Sequence, residues 1–205
     1  YLSIMTILVS FRLEHLIVWP KENVVAEYFV RFVLKFGALS ALFWTFLCAL
    51  ALPHLPLTES FYPWLLLMPL TAYVLVCAQA LQQFDQRSSR FMLSGLSELV
   101  NRCVNNGLAI AGGLLSLNGL CLLAAVGFGQ ASKFCVFKRH FWLLRGSILS
   151  DFHKALHQAR LLKLYRLNSS LILSHLMLSV TAVIPLTYIA FEWGEAKVGY
   201  FSLVL

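Results

Sequence analysis

Apolar stretches close to twenty residues long recur along this chain, each cut off by a short polar segment. They run from about Tyr28 to Leu52, Phe61 to Gln82, Phe91 to Gly113, Leu114 to Phe134 and Ser170 to Phe191. About 20 residues of α-helix cross the hydrocarbon of a bilayer, so each stretch predicts one span. Composition supports this reading. The 205 residues are 60% hydrophobic and 12% charged, whereas soluble domains carry about 25% charged residues. A chain this apolar cannot hide its surface in one water-soluble core, so the bilayer is its expected solvent. The expected fold class is all-α, a polytopic transmembrane helical bundle. The run from Tyr1 to Phe11 is too short to span and is expected to be the tail of a helix. Another helix is expected to begin near Val198. Because Tyr1 and Leu205 both lie inside apolar runs, the chain is expected to be an internal part of a larger protein.

The formal net charge of +7 does not point to nucleic acid, because the cations sit between apolar runs. Arg12 and Lys21 lie in the first loop, Arg87 and Arg90 in the third, and Lys138, Arg139, Arg145, Lys154, Arg160, Lys163 and Arg166 in the fifth. The second and fourth loops, around 54–60 and at Gly112–Gly113, have no Lys or Arg, and the sixth has only Lys197. The positive-inside rule places the odd loops in the cytoplasm. Ile148, Leu149, Phe152, Ala155, Leu156, Ala159 and Leu162 form an apolar helical stripe beside cations. This predicts an amphipathic helix, Ser150 to Lys163, lying on the inner membrane surface among anionic lipids. The five cysteines stand singly and read as small buried hydrophobes.

Within the third run, Ser94, Ser97, Glu98, Asn101, Arg102, Asn105 and Asn106 recur at spacings of three and four. That puts them on one face of a helix, with Leu96, Leu99, Val100, Cys103, Val104 and Leu108 on the other. Charges inside a membrane helix are costly and face a bundle interior or a wet cavity. Glu98 and Arg102, four apart, can pair on one face. They read either as the wall of a cavity or as a lock between packed helices. Glu27, Arg31 and Lys35 follow at i, i+4 and i+8. Arg31 can snorkel to the interface. Lys35, about 12 Å into the helix, reaches less easily. Both suit an anionic diphosphate headgroup, because Arg offers paired donors and Lys a point charge. Gln79, Gln82, Gln83 and Gln86 form another face, which reads as interfacial. Pro69 and Pro185 predict kinks.

Enzyme chemistry finds little support. His153 and His157 form one HxxxH without an acidic cluster, and read as a solvated face rather than a metal site. His140 and His175 read as isolated. Only Asp85 and Asp151 are aspartates, so no DxD motif exists, and there is no P-loop, GxSxG or nucleophile–base pair. No catalytic residue, cofactor or metal site is expected.

The segment FRLEHLIVWPKENVVAEYFVRFVLKF, Phe11 to Phe36, resembles the polysaccharide-exporter (Wzx-like) family of the MATE/MOP flippase superfamily. Members carry an Arg-x-Glu-x-x-Ile-x-x-Pro-Lys loop after their second transmembrane helix, matched here by Arg12, Glu14, Ile17, Pro20 and Lys21. Arg160, Tyr165 and Arg166 match the basic segment before the family's seventh helix. Gly194, Val198, Gly199 and Tyr200 match its passage into the eighth. The resemblance implies about half of a two-lobe transporter. Residues 1–136 would be part of the N-terminal lobe, from the end of the second helix to the sixth. Residues 137–168 would be the cytoplasmic linker, and 169–205 the start of the C-terminal lobe.

The function this implies is flipping a lipid-linked oligosaccharide, on undecaprenyl diphosphate, across the bacterial inner membrane for polysaccharide, O-antigen or capsule synthesis. The expected mechanism is alternating access coupled to antiport of H+ or Na+. Arg31, Lys35 and Arg102 would attract the diphosphate or acidic sugars. Asn101 and Asn105, with Asn106, would bind glycan hydroxyls. Glu98 would pair with Arg102 or exchange a proton, and Arg12 and Glu14 would hold a cytoplasmic gate. Expected partners are membrane lipids and the polysaccharide polymerase and glycosyltransferases of the same route. A multidrug or other lipid exporter of the superfamily, a membrane-embedded glycan-processing enzyme, and a non-transporting membrane scaffold stay open as alternatives.

Overall fold

A computed structural model describes residues 2–52, 62–115, 120–138, 140 and 164–193. These residues form six α-helices and one 3-10 turn, with no strand among them. The helices are α1 Leu2–Ser10, α2 Asn23–Ala51, α3 Tyr62–Arg87, α4 Phe91–Leu114, α5 Leu120–Val136 and α6 Leu164–Trp193. Three segments are long and apolar enough to cross a membrane: Asn23–Ala51, Tyr62–Arg87 and Asn168–Ile189. Helix α4 carries Glu98 and Arg102, and α5 has 17 residues.

Helix α3 is the centre of the bundle and packs on α1, α2 and α5. Its inward positions are small or slender, with Ala72, Val76, Ala78 and Ala80 buried. Small residues let helix backbones approach closely where no water drives association. Helices α3 and α5 run parallel: Thr71 lies beside Gly127, Gln82 beside Lys133, and Asp85 beside His140. Helix α4 connects them in the opposite direction and packs mainly on α5.

The polarity of α4 is the reverse of that in a water-soluble bundle. Ser94, Ser97 and Asn101 are buried, while Leu96, Leu99, Ile110 and Leu114 are exposed. On α2, Leu39, Leu42, Phe43, Phe46 and Leu50 point outward, and on α6 so do Leu173, Met177, Leu178 and Ile184. An outer surface of large aliphatic and aromatic side chains fits a lipid solvent, because hydrocarbon does not penalise it.

The segment after α1 departs from the expected polar loop. Phe11 and Arg12 take left-handed backbone angles, φ 49° and 56°. They turn the chain into the 3-10 turn Leu13–Val18. Leu16 and Ile17 are fully buried there, against α2 and α3. Helix α2 begins five residues before the expected Tyr28. Extended backbone at Glu22 precedes it, and the Ala26 N–H donates to the Glu22 carbonyl, so local hydrogen bonding rather than hydropathy sets its start. The expected surface helix 150–163, the helix near Val198, the loop around 54–60 and all but the ends of the 137–168 linker lie outside the described residues.

Candidate functional site

The polar face of α4 meets its neighbours at a network shared by three helices. Lys133 on α5 donates from Nζ to Glu98 Oε2 at 2.6 Å and to Gln82 Oε1 on α3 at 3.5 Å. Asn101 Nδ2 donates to Glu98 Oε1 at 3.4 Å. Gln82 and Gln86 donate to Ser94 Oγ at 3.1 and 3.2 Å. The expected Glu98–Arg102 pair forms, with Arg102 Nε 3.8 Å from Oε1, but Lys133 is the closer cation. Gln82 and Gln86 are interhelical hydrogen-bonding groups rather than a purely interfacial face.

Exposure divides the network. The Lys133 side chain is only 4% exposed, Glu98 40% and Arg102 75%. Lys133 is therefore a sealed ammonium whose charge Glu98 compensates. Arg102 projects outward, as does Asn106. Asn101 and Asn105 press on α5 where it lacks a side chain. A Cβ at Gly129 would stand 2.7 Å from Asn101 Oδ1 and 2.9 Å from Asn105 Cβ. The seven polar residues thus divide into a packed seam, Ser94, Ser97, Asn101 and half-buried Asn105, and an accessible edge at Glu98, Arg102 and Asn106.

Arg31 and Lys35 are not at this network. They lie on α2, across α3 from α4, and Arg31 Nη2 sits 3.8 Å from Glu27. Both are half-buried.

Arg12 and Glu14 come together at the turn after α1. Arg12 Nη1 donates to Glu14 Oε1 at 3.4 Å, and Nη2 lies 3.3 Å from His175 Nδ1 on α6. The His15 and His175 rings stack, with centroids 5.7 Å apart, and Asn168 Nδ2 donates to the Phe11 carbonyl at 3.0 Å. His175 is therefore not isolated; it joins the last described helix to the turn after α1. Arg12 also lines a cavity of about 170 Å³ with Ser3, Thr6 and Gln79.

His140 is not isolated either. Its Nε2 sits 3.0 and 3.1 Å from the two oxygens of Asp85, both residues being buried, and Arg90 Nη1 lies 3.7 Å from the same carboxylate. Phe84 packs edge-on against the imidazole. Arg87 fastens another corner. Its guanidinium donates to the carbonyls of Val18, Pro20 and Lys21 and to Asn23 Oδ1.

Sequence reasoning missed Lys133 and the Asp85–His140 pair. Lys133 carried a visible signal, a lone cation inside an apolar run, the same signal that singled out Glu98. Asp85 and His140 are 55 positions apart, and no spacing rule joins them. Among the described residues no group of three His, Cys, Asp or Glu could hold a metal ion. Compared with protein-family models, curated proteins and solved structures, the chain matches none.

Proposed function

We propose that this chain is part of a multi-pass transporter of the bacterial inner membrane that flips a lipid-linked oligosaccharide by alternating access. The observation that carries the reading is the placement of Arg102 and Glu98. Both are partly exposed on a helix that also exposes the large apolar side chains of Leu96, Leu99, Ile110 and Leu114. A cation held at such a place attracts an anionic group crossing the membrane. Arg102 supplies the fork of donors that suits a diphosphate. Arg31 and Lys35 supply further positive charge on α2, and Asn105 with Asn106 offers hydrogen bonds to sugar hydroxyls. The Arg12–Glu14–His175 contact joins the two ends of the described chain, and a gate must open and close such a contact. In this reading the coupling ion is H+ or Na+, and polymerase and glycosyltransferases work alongside.

The test is export. In cells that depend on this protein for surface polysaccharide, Arg102→Ala and Lys35→Ala abolish surface glycan while protein levels hold. Normal export in both variants defeats the assignment.

A further inference from the structure

Two apolar hollows lie along the same pair of parallel helices. The larger, about 310 Å³, sits between α3 and α5, floored by Thr71, Gly127 and Ala131 and flanked by Leu67 and Phe128. The smaller, about 190 Å³, is walled by Tyr73, Cys77, Leu81 and Phe134, with Leu34 of α2 closing one side, and ends at His140. Val74 lines both, so the two hollows adjoin at that side chain and together make an interrupted corridor. From Leu67 to Leu81 the corridor follows α3 for about 21 Å at 1.5 Å per residue. Its larger part is open on the face where Leu67, Leu70 and Phe128 are exposed.

The two ends differ. The 67/123 end is wholly apolar. The other reaches the Asp85–His140 pair, where Arg90 is 46% exposed and Lys138 is exposed in the turn after α5. Asp85 is fully buried beneath His140 and Arg90, so the accessible charge at this end is positive. We propose that the corridor holds one fatty-acyl chain of an anionic glycerophospholipid, with the headgroup phosphate at Arg90 and Lys138.

Three features argue for this occupant. Helix α3 is long and apolar enough to cross a membrane, so hydrocarbon is what its open face meets. The corridor length, about two thirds of a ~30 Å hydrocarbon core, matches one acyl chain and falls far short of a long polyprenyl tail. Finally, a phosphate gains from cations close to the membrane surface. The inference rests on the membrane placement of α3 and on no transported substrate, so export and lipid retention report on it separately.

The test is native mass spectrometry of the protein released from nanodiscs of equal parts palmitoyl-oleoyl phosphatidylglycerol and phosphatidylcholine. Retained lipid is expected to be mainly phosphatidylglycerol. The double variant Arg90→Gln/Lys138→Gln lowers that preference about 30-fold, from roughly tenfold per 1.4 kcal/mol and about 1 kcal/mol for each cation. Val74→Trp blocks the corridor and removes the retained lipid, whereas Leu42→Trp on the outer face of α2 leaves it unchanged. As a measurement independent of the folding of Val74→Trp, phosphatidylglycerol with a photoreactive acyl chain is cross-linked to the unaltered protein. Labelling is expected to concentrate on 70–74 and 127–131. Equal retention of both lipids, labelling spread evenly over α2, α3 and α6, displacement by an equal amount of polyprenyl phosphate, or a dimer that retains no lipid would each overturn the proposal.

Discussion

Breaking the Glu98–Lys133 pair from its two sides should cost very different amounts. Replacing Glu98 by Gln leaves the Lys133 ammonium in place with a side chain 4% exposed. Its other contact is the Gln82 amide oxygen at 3.5 Å. A buried charge that loses its counter-ion costs about 3–5 kcal/mol. Replacing Lys133 by Met keeps the volume and leaves the Glu98 carboxylate 40% exposed. That carboxylate keeps Asn101 at 3.4 Å and Arg102 at 3.8 Å. The loss there is about 1 kcal/mol, near that of an ordinary hydrogen bond or exposed ion pair. In Glu98→Gln/Lys133→Met neither charge is stranded, so the double variant recovers most of the Glu98→Gln loss. The coupling across the cycle is about 2–4 kcal/mol. Unfolding by denaturing detergent, followed by circular dichroism in mixed micelles, measures all four proteins. Equal losses for the two single variants, or additive losses in the double, would refute the idea that Lys133 is sealed and Glu98 is not.

Other expected outcomes concern packing and joints. Gly129→Ala forces a Cβ to 2.7 Å from Asn101 Oδ1 and 2.9 Å from Asn105 Cβ, an overpacking loss of about 1–3 kcal/mol. Gly127→Ala meets Thr71 at an ordinary 3.6 Å and gains up to about 1 kcal/mol from helix propensity; opposite signs in the same unfolding assay check the pair. Arg87→Ala releases three carbonyls and Asn23, so hydrogen exchange should quicken across 16–26 while α4 stays protected. Asp85→Asn removes the charge facing His140 and Arg90, and faster exchange confined to 84–91 and 133–138 is the expected signature.

The helices were legible because a long apolar run shows its own length directly in hydropathy. All five expected spans fall on helices α2 to α6, though among the described helices only α2, α3 and α6 contain segments long and apolar enough to cross a membrane. The 3-10 turn was not legible, since Arg12 to Lys21 is polar on average yet buries Leu16, Ile17 and Glu14. Composition averages over the turn, whereas burial is decided side chain by side chain. The inward polar face of α4 was readable from three- and four-residue spacing, which correctly grouped Ser94, Ser97 and Asn101. Spacing could not separate those buried groups from exposed Arg102, because exposure depends on what α5 covers. It also assigned Glu98 its nearest cation in sequence, although Lys133 lies closer in space at a separation of 35 residues. His140 and His175 read as solitary for the same reason: their partners are 55 and 163 positions away.

The left-handed turn at Phe11 and Arg12 has a bearing on biosynthesis. Non-glycine residues hold such angles at a cost of about 1–3 kcal/mol each, and Asn168 and His175 brace the turn from α6. Those braces emerge from the ribosome 157 and 163 residues later. At 5–20 residues per second, the nascent chain waits roughly 8–30 s with Arg12 and Glu14 already made and the final fastening of the turn still untranslated. Until α6 arrives, the turn lacks the contacts that hold it, so this corner of the fold is completed last.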